Sequence, residues 1–128
     1  MRPKSRTLTE HELEIMKVVW EQGRCSVRDV YETLRERKGV AYTTVMTMMN
    51  ILETKGHLRK WADGRAYLYE AVQEKAATEA TLVDDFVNRV FDGAAQALVL
   101  TLVREGKLGA EELEALSRLA AEVPEEEP

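Results

Sequence analysis

The stretch Ala41-Tyr42-Thr43-Thr44-Val45-Met46-Thr47-Met48-Met49-Asn50-Ile51-Leu52-Glu53-Thr54-Lys55-Gly56 decides how the rest of the chain is read. Val45, Met48, Met49 and Leu52 recur at i, i+3, i+4 and i+7, the spacing of one face of an α-helix, and Lys55-Gly56 supplies a stop. At about 100° per residue, the count from Val45 returns Met49 and Leu52 to nearly the same direction and sends Thr43, Thr47, Asn50 and Thr54 to the far side. A solvated helix face ordinarily mixes Glu and Lys. This one presents short, uncharged, hydrogen-bonding groups, which suit the major groove of DNA, where Asn pairs with adenine and Thr touches a thymine methyl or a phosphate. Threonines on an ordinary exposed helix are the plain alternative.

Two further helices precede this one. Thr9 followed three residues on by Glu12 reads as a capping box, opening a helix with Leu13, Met16 and Trp20 on one face and an end at Gly23. Ser26 and Asp29 read as the cap of a second helix, carrying Val27, Val30, Tyr31 and Leu34 and stopping before Gly39. The third opens near Thr43. Three short helices with tight joints are a helix-turn-helix layout.

Downstream, the period changes. Asp63-Gly64 is a two-residue hairpin signal between residues 58–62 and 65–71, which are rich in Trp, Tyr and Leu. Closure there pairs Lys60 with Tyr67 and Leu58 with Tyr69, and puts Leu58, Tyr67 and Tyr69 on one face, expected to pack on the helices. This ribbon is a wing. Arg59, Lys60 and Arg65 cluster around it within reach of phosphates or the minor groove, with ordinary surface charge as the alternative. Trp61, on the other face, reads as a structural residue covering a helix end, with stacking on sugar-phosphate as its alternative. Arg2, Lys4 and Arg6 form a basic arm.

From Glu74 the chain is helical again, with a stripe of Val83, Phe86, Val87, Val90 and Phe91 ending at Asp92-Gly93. The segment Ala97-Leu98-Val99-Leu100-Thr101-Leu102-Val103 is apolar nearly all round, so a second subunit is expected to cover it. A last helix from Ala110 turns Leu113, Leu116 and Val123 inward, with Leu119 and Ala120 beside them. The expected dimerisation residues are Phe86, Val90, Leu98, Val99, Leu100, Leu102, Val103, Leu113 and Leu116. The expected architecture is mainly α: a winged helix-turn-helix over residues 1–72 and a helical dimerisation segment over residues 73–128.

Charge divides along the same line. Residues 1–72 carry 13 Lys and Arg against 10 Asp and Glu, whereas residues 73–128 carry 5 against 13, so the overall −5 hides a basic half suited to DNA. At 128 residues the chain fits one domain of ordinary size, or a small domain plus an extension too thin to hold its own core, another pointer to oligomerisation. It has no run of about 18 apolar residues, and the basic residues 1–6 are not followed by an apolar stretch, so a cytoplasmic protein with no membrane insertion is expected. Cys25 stands alone and excludes an internal disulfide, and two histidines, His11 and His57, offer no clustered metal spacing. No His-Asp-Ser or Cys-His set, phosphate loop or HExxH is present, so neither an enzyme nor a cofactor is expected.

The run from Ala41 to Thr47, then Leu52-x-x-Lys55-Gly56, then Asp63-Gly64-Arg65-x-Tyr67-x-Tyr69 resembles the penicillinase-repressor (BlaI/MecI/CopY) family. Leu8-Thr9-x-x-Glu12-x-x-Ile15-Met16-x-x-Val19-Trp20 and Ala97-Leu98-Val99-Leu100 extend the resemblance over nearly the whole chain. It implies a winged-helix homodimer that binds palindromic operator DNA of the TACA/TGTA type and represses genes for β-lactam resistance or metal homeostasis. By this resemblance Tyr42, Thr43, Thr44 and Thr47 hold recognition-helix positions, and Arg65 the wing position. Two departures stand out. The copper-responsive branch carries paired Cys-x-Cys motifs near its C-terminus, and no cysteine follows Cys25 here, so copper sensing is not expected. The β-lactam-responsive branch is cut at an Asn-Phe bond, for which this chain has Thr101-Leu102. In a circuit of that type the further partner is a membrane-bound sensor metalloprotease.

Overall fold

The computed structural model describes residues 7–124, so the basic arm Arg2, Lys4 and Arg6 lies outside the described residues. The chain divides into two compact units, one running through Val83 and the other starting at Asp84.

The first unit holds α1 (Glu10–Gln22), α2 (Val27–Lys38), α3 (Tyr42–Lys55), β1 (Leu58–Asp63), β2 (Ala66–Ala71) and the opening turns of α4 (Lys75–Phe91). Local chemistry sets the helix ends. Thr9 Oγ1 accepts from the Glu12 backbone N–H at 3.1 Å while Glu12 Oε1 accepts from the Thr9 N–H at 2.8 Å. Ser26 and Asp29 repeat the exchange at 3.1 and 2.9 Å, so each box satisfies donors that the first helical turn leaves unpaired. α3 differs, because Ala41 at its cap offers no side-chain acceptor. Its start is held instead by the Tyr42 ring, edge-on to Tyr31 of α2 at 5.4 Å.

The core gathers Ile15, Met16, Val18 and Val19 from α1, Val27, Val30 and Leu34 from α2, and Val45, Met49 and Leu52 from α3, closed by Cys25, Leu58 and Tyr69. The α3 and α2 stripes fall as the spacing predicts. On α1 the buried arc is wider than Leu13, Met16 and Trp20: of these only Met16 is fully buried, and Leu13 and Trp20 are half-buried. The reason is that α1 packs against α2, α3 and β2 at once, so two sides of it are covered. Trp20 has a separate role, its indole N–H donating to the Gln73 carbonyl at 3.0 Å where the chain leaves the hairpin.

One polar pair enters this core. Glu12, 4% exposed, accepts from Lys55 Nζ at 2.9 Å, tying the last turn of α3 to the first turn of α1. Burial alone raises the Glu12 pKa. The Thr9 N–H and the Lys55 ammonium outweigh it and hold the carboxyl below its ordinary value.

The hairpin corrects the sequence reading by one step of the turn. Asp63 closes β1 by pairing with Ala66, so the loop residues are Gly64 and Arg65, and Lys60 lies opposite Tyr69 and Ala62 opposite Tyr67. Gly64 takes φ +64° at the first loop position while Arg65 keeps negative φ, the Gly-X form of a two-residue hairpin. Every partner moves by two residues, so the faces survive the shift. Leu58, Tyr67 and Tyr69 still share a face, but only Leu58 and Tyr69 are buried; Tyr67, near the tip, is 50% exposed. Cys25 pairs with Tyr69 through both backbone bonds, 3.0 and 2.7 Å, and adds a single bridge of a third strand to β2.

The second unit contains the rest of α4, α5 (Ala95–Arg104) and α6 (Ala110–Glu122). Asp92, at φ +52°, and Gly93 end α4, and Phe86 meets Phe91 edge-on at 5.9 Å. Neither α5 nor α6 has a fully buried residue. Leu98, Leu102 and Leu113 are half-buried; Phe86, Val90, Val99, Leu100, Val103, Leu116, Leu119 and Val123 are exposed.

Candidate nucleic-acid interface

α3 turns Val45, Met49 and Leu52 into the core, which fixes what it turns out. Thr43, Thr44 and Thr47 are exposed and Asn50 is half-buried. The face is less uniformly polar than the threonines suggest, because Tyr42, Met46 and Ile51 are also exposed, at 40, 39 and 42%. The helical count that found the threonines also finds these, at about 100° for Met46 and 240° for Ile51 from Val45. With Thr43, Thr47 and Thr54 between them, Met46 and Ile51 form no continuous apolar patch.

A groove of about 470 Å³ lies between α3, the start of α2 and the wing, lined among others by Arg28, Tyr42, Met46, Lys60, Arg65 and Tyr67. Three cations border it. Arg65 stands exposed at the wing tip, and Arg28 meets Glu32 in a 3.8 Å i,i+4 contact, a solvent-screened pair worth little. Lys60 is fixed more firmly, with Nζ 3.0 Å from Asn50 Oδ1 and 4.8 Å from the centre of the Tyr67 ring. The buried Tyr69 hydroxyl donates to the same Asn50 oxygen at 3.0 Å. Burial, and then the nearby Glu53, raise the Tyr69 pKa, so this hydroxyl keeps its proton and remains a donor.

The structure brings Lys60 and Arg65 together with Tyr42 and Asn50, and separates Arg59 from them. Arg59 lies on the opposite face of the ribbon, 3.2 Å from Glu70, which also meets Arg24 at 3.5 Å. Arg24 in turn sits 5.5 Å over the half-buried Trp61 ring, so this second face carries its own cluster, in which two arginines share one carboxylate. Arg28 is a groove residue that the sequence reading does not pick out. Its signal is its place two residues after the Ser26 cap, on the first turn of the helix that precedes the groove-facing one.

Thr101 and Leu102 lie inside α5, where Thr101 Oγ1 donates to the Ala97 carbonyl at 2.9 Å. Among the described residues no group of three or more His, Cys, Asp or Glu is placed to hold a metal, and no single helix is long and apolar enough to cross a membrane.

The sequence model of the penicillinase repressor family matches residues 8–122. The transcriptional regulator BlaI of Mycobacterium tuberculosis is 34% identical over 118 residues, which cover 91% of this chain and 84% of that protein. The penicillinase repressor of Bacillus licheniformis is 26% identical over 115 residues, covering 90% of each. The solution structure of the DNA-binding domain of the repressor BlaI superposes with a TM-score of 0.53 at 27% identity, over 59% of this chain and 92% of that one.

Proposed function

Because the chain belongs to the penicillinase repressor family, a family of repressors and not of enzymes, we propose that it is a cytoplasmic homodimeric repressor that binds palindromic operator DNA. The observation that carries this reading is the groove where Tyr42, Met46 and Asn50 of α3 stand with three cations from α2 and the wing, Arg28, Lys60 and Arg65, while the exposed Thr43 and Thr47 continue the α3 face next to Asn50. α3 enters the major groove with Tyr42, Thr43, Thr44 and Thr47 toward the bases. Arg65, Lys60 and Arg28 take the flanking phosphates, which position the protein without specifying sequence. Two such helices, related by a dimer axis through the α4 to α6 segment, read two half-sites about one helical turn apart. The exposed apolar residues of α5 and α6 support that axis. β-lactam resistance genes are the first targets to examine. Induction by cutting at Thr101-Leu102 by a sensor metalloprotease would require α5 to unwind locally, because the bond lies within that helix.

The test begins with selection of duplexes from random-sequence DNA by the full-length protein. On the selected duplex, Thr43→Ala combined with Thr47→Ala is expected to cost about 1–3 kcal/mol of affinity for each base interaction removed, with an unchanged melting temperature. Equal affinity at fixed salt would remove α3 from the groove. Arg65→Ala is expected to weaken specific and unrelated DNA alike and to make the plot of log affinity against log salt shallower by about 0.9. An unaltered slope would mean that Arg65 meets no phosphate.

A further inference from the structure

The hydrogen bonds of Asn50 fix the polarity with which it meets DNA. Its Oδ1 receives Lys60 Nζ and the Tyr69 hydroxyl, both at 3.0 Å. An ammonium has no acceptor, so the amide cannot be turned to place its NH2 group against Lys60. Two donors also fill both lone pairs of the oxygen. Asn50 lines the groove beside Met46 and Arg65, and the only hydrogen-bonding capacity it has left is the pair of N–H bonds on Nδ2.

We infer that Asn50 contacts DNA as a donor only, selecting an acceptor atom and making no use of the adenine amino group. This inference rests on the DNA-binding reading of α3 and revises the adenine pairing expected of an asparagine there. The two-point adenine contact needs the side-chain oxygen to accept from N6 while the nitrogen donates to N7. With the oxygen committed, only the second half remains. Purine N7, guanine O6 and thymine O4 satisfy it, whereas the cytosine amino group confronts one donor with another. A phosphate oxygen offers the same acceptor chemistry. The arrangement also makes Lys60 and Tyr69 positioning residues, which hold the amide without touching a base.

The experiment uses the full-length protein and the duplex it enriches from random-sequence DNA. Asn50→Asp keeps an oxygen for Lys60 and Tyr69 but replaces the outward donor by an acceptor, and it is expected to bind about tenfold or more weakly. Asn50→Ala, with the melting temperature as a check on folding, provides the comparison for analogue scanning. A 7-deazapurine, or removal of the O6 or O4 acceptor, at one half-site position should weaken the parent and leave Asn50→Ala unaffected. Coupling to a methylphosphonate instead would assign the acceptor to the backbone and sustain the donor-only role. The inference is overturned if Asn50→Asp binds as the parent does, or if removing an adenine N6 amino group is the change that couples to Asn50. Failure of the parent to enrich any duplex would overturn the DNA-binding reading and this inference with it.

Discussion

A chain ended at Val83 is expected to be monomeric and to bind a two-half-site operator about 10²–10⁴-fold more weakly than the full-length protein. The first unit has its own core, from Ile15 to Tyr69, and remains compact through Val83, so the shortened chain should keep its fold. What it gives up is the exposed apolar surface of α5 and α6, including Val99, Leu100, Val103 and Leu116, which supports the proposed dimer. Linking two half-site readers makes the second binding event intramolecular, and this advantage is commonly about 10²–10⁴-fold for joined modules. Sedimentation equilibrium gives the mass, and titration of one-half-site and two-half-site duplexes gives the ratio. The shortened chain should bind the two about equally. A shortened chain that stays dimeric and holds the full operator tightly would move the dimer interface into the first unit.

Lys55→Met is expected to destabilise the first unit by about 3 kcal/mol, the cost of leaving a buried carboxylate without its cation. Glu12 would retain the Thr9 N–H, but a side chain only 5% exposed has little access to water. Adding Glu12→Gln should recover much of the stability, since an amide accepts the Thr9 bond without a charge to bury. The pH dependence has a definite sign. The folded-state pKa of Glu12 lies below its ordinary value of 4.5, so the pair's contribution is fully present above pH 4.5 and is lost as pH falls through the depressed value. The difference between parent and Lys55→Met should therefore narrow on acidification. Urea unfolding at several pH values measures it, and a single variant within about 0.5 kcal/mol of the parent at neutral pH would mean that water reaches Glu12 readily.

The parts of the fold governed by neighbouring residues were legible in the sequence. Thr9 with Glu12, and Ser26 with Asp29, are boxes closed over three residues, and Gly39 and Gly56 sit just past α2 and α3 in left-handed backbone. Features depending on what packs opposite are less legible. The width of the α1 face needs α2, α3 and β2 in place. The hairpin offers two overlapping signals, Asp63-Gly64 and Gly64-Arg65, and local propensity does not separate them. The structure adopts the second, with Lys60 opposite a Tyr69 that is buried against the helices and bonded through its backbone to Cys25. The site is affected accordingly. Thr43 and Thr47 follow from helical counting alone and Thr44 only from the family resemblance, but the engagement of the Asn50 carbonyl follows from the register, and the separation of Arg59 from Lys60 follows from the two-residue alternation of a strand that charge counting ignores.

The seam between Cys25 and Tyr69 gives the protein a built-in clock for its own opening. The thiol is buried, and burial together with Asp29 pushes its pKa up to about 11, so almost none of it is thiolate in the closed state at neutral pH. An alkylating reagent can then act only on molecules in which the strand bridge has parted. As the chain has no other cysteine, mass spectrometry reads a single site without engineering. When closing is faster than alkylation, the modification rate gives the free energy of that opening, and its urea dependence tells whether the wing lifts alone or the whole unit unfolds.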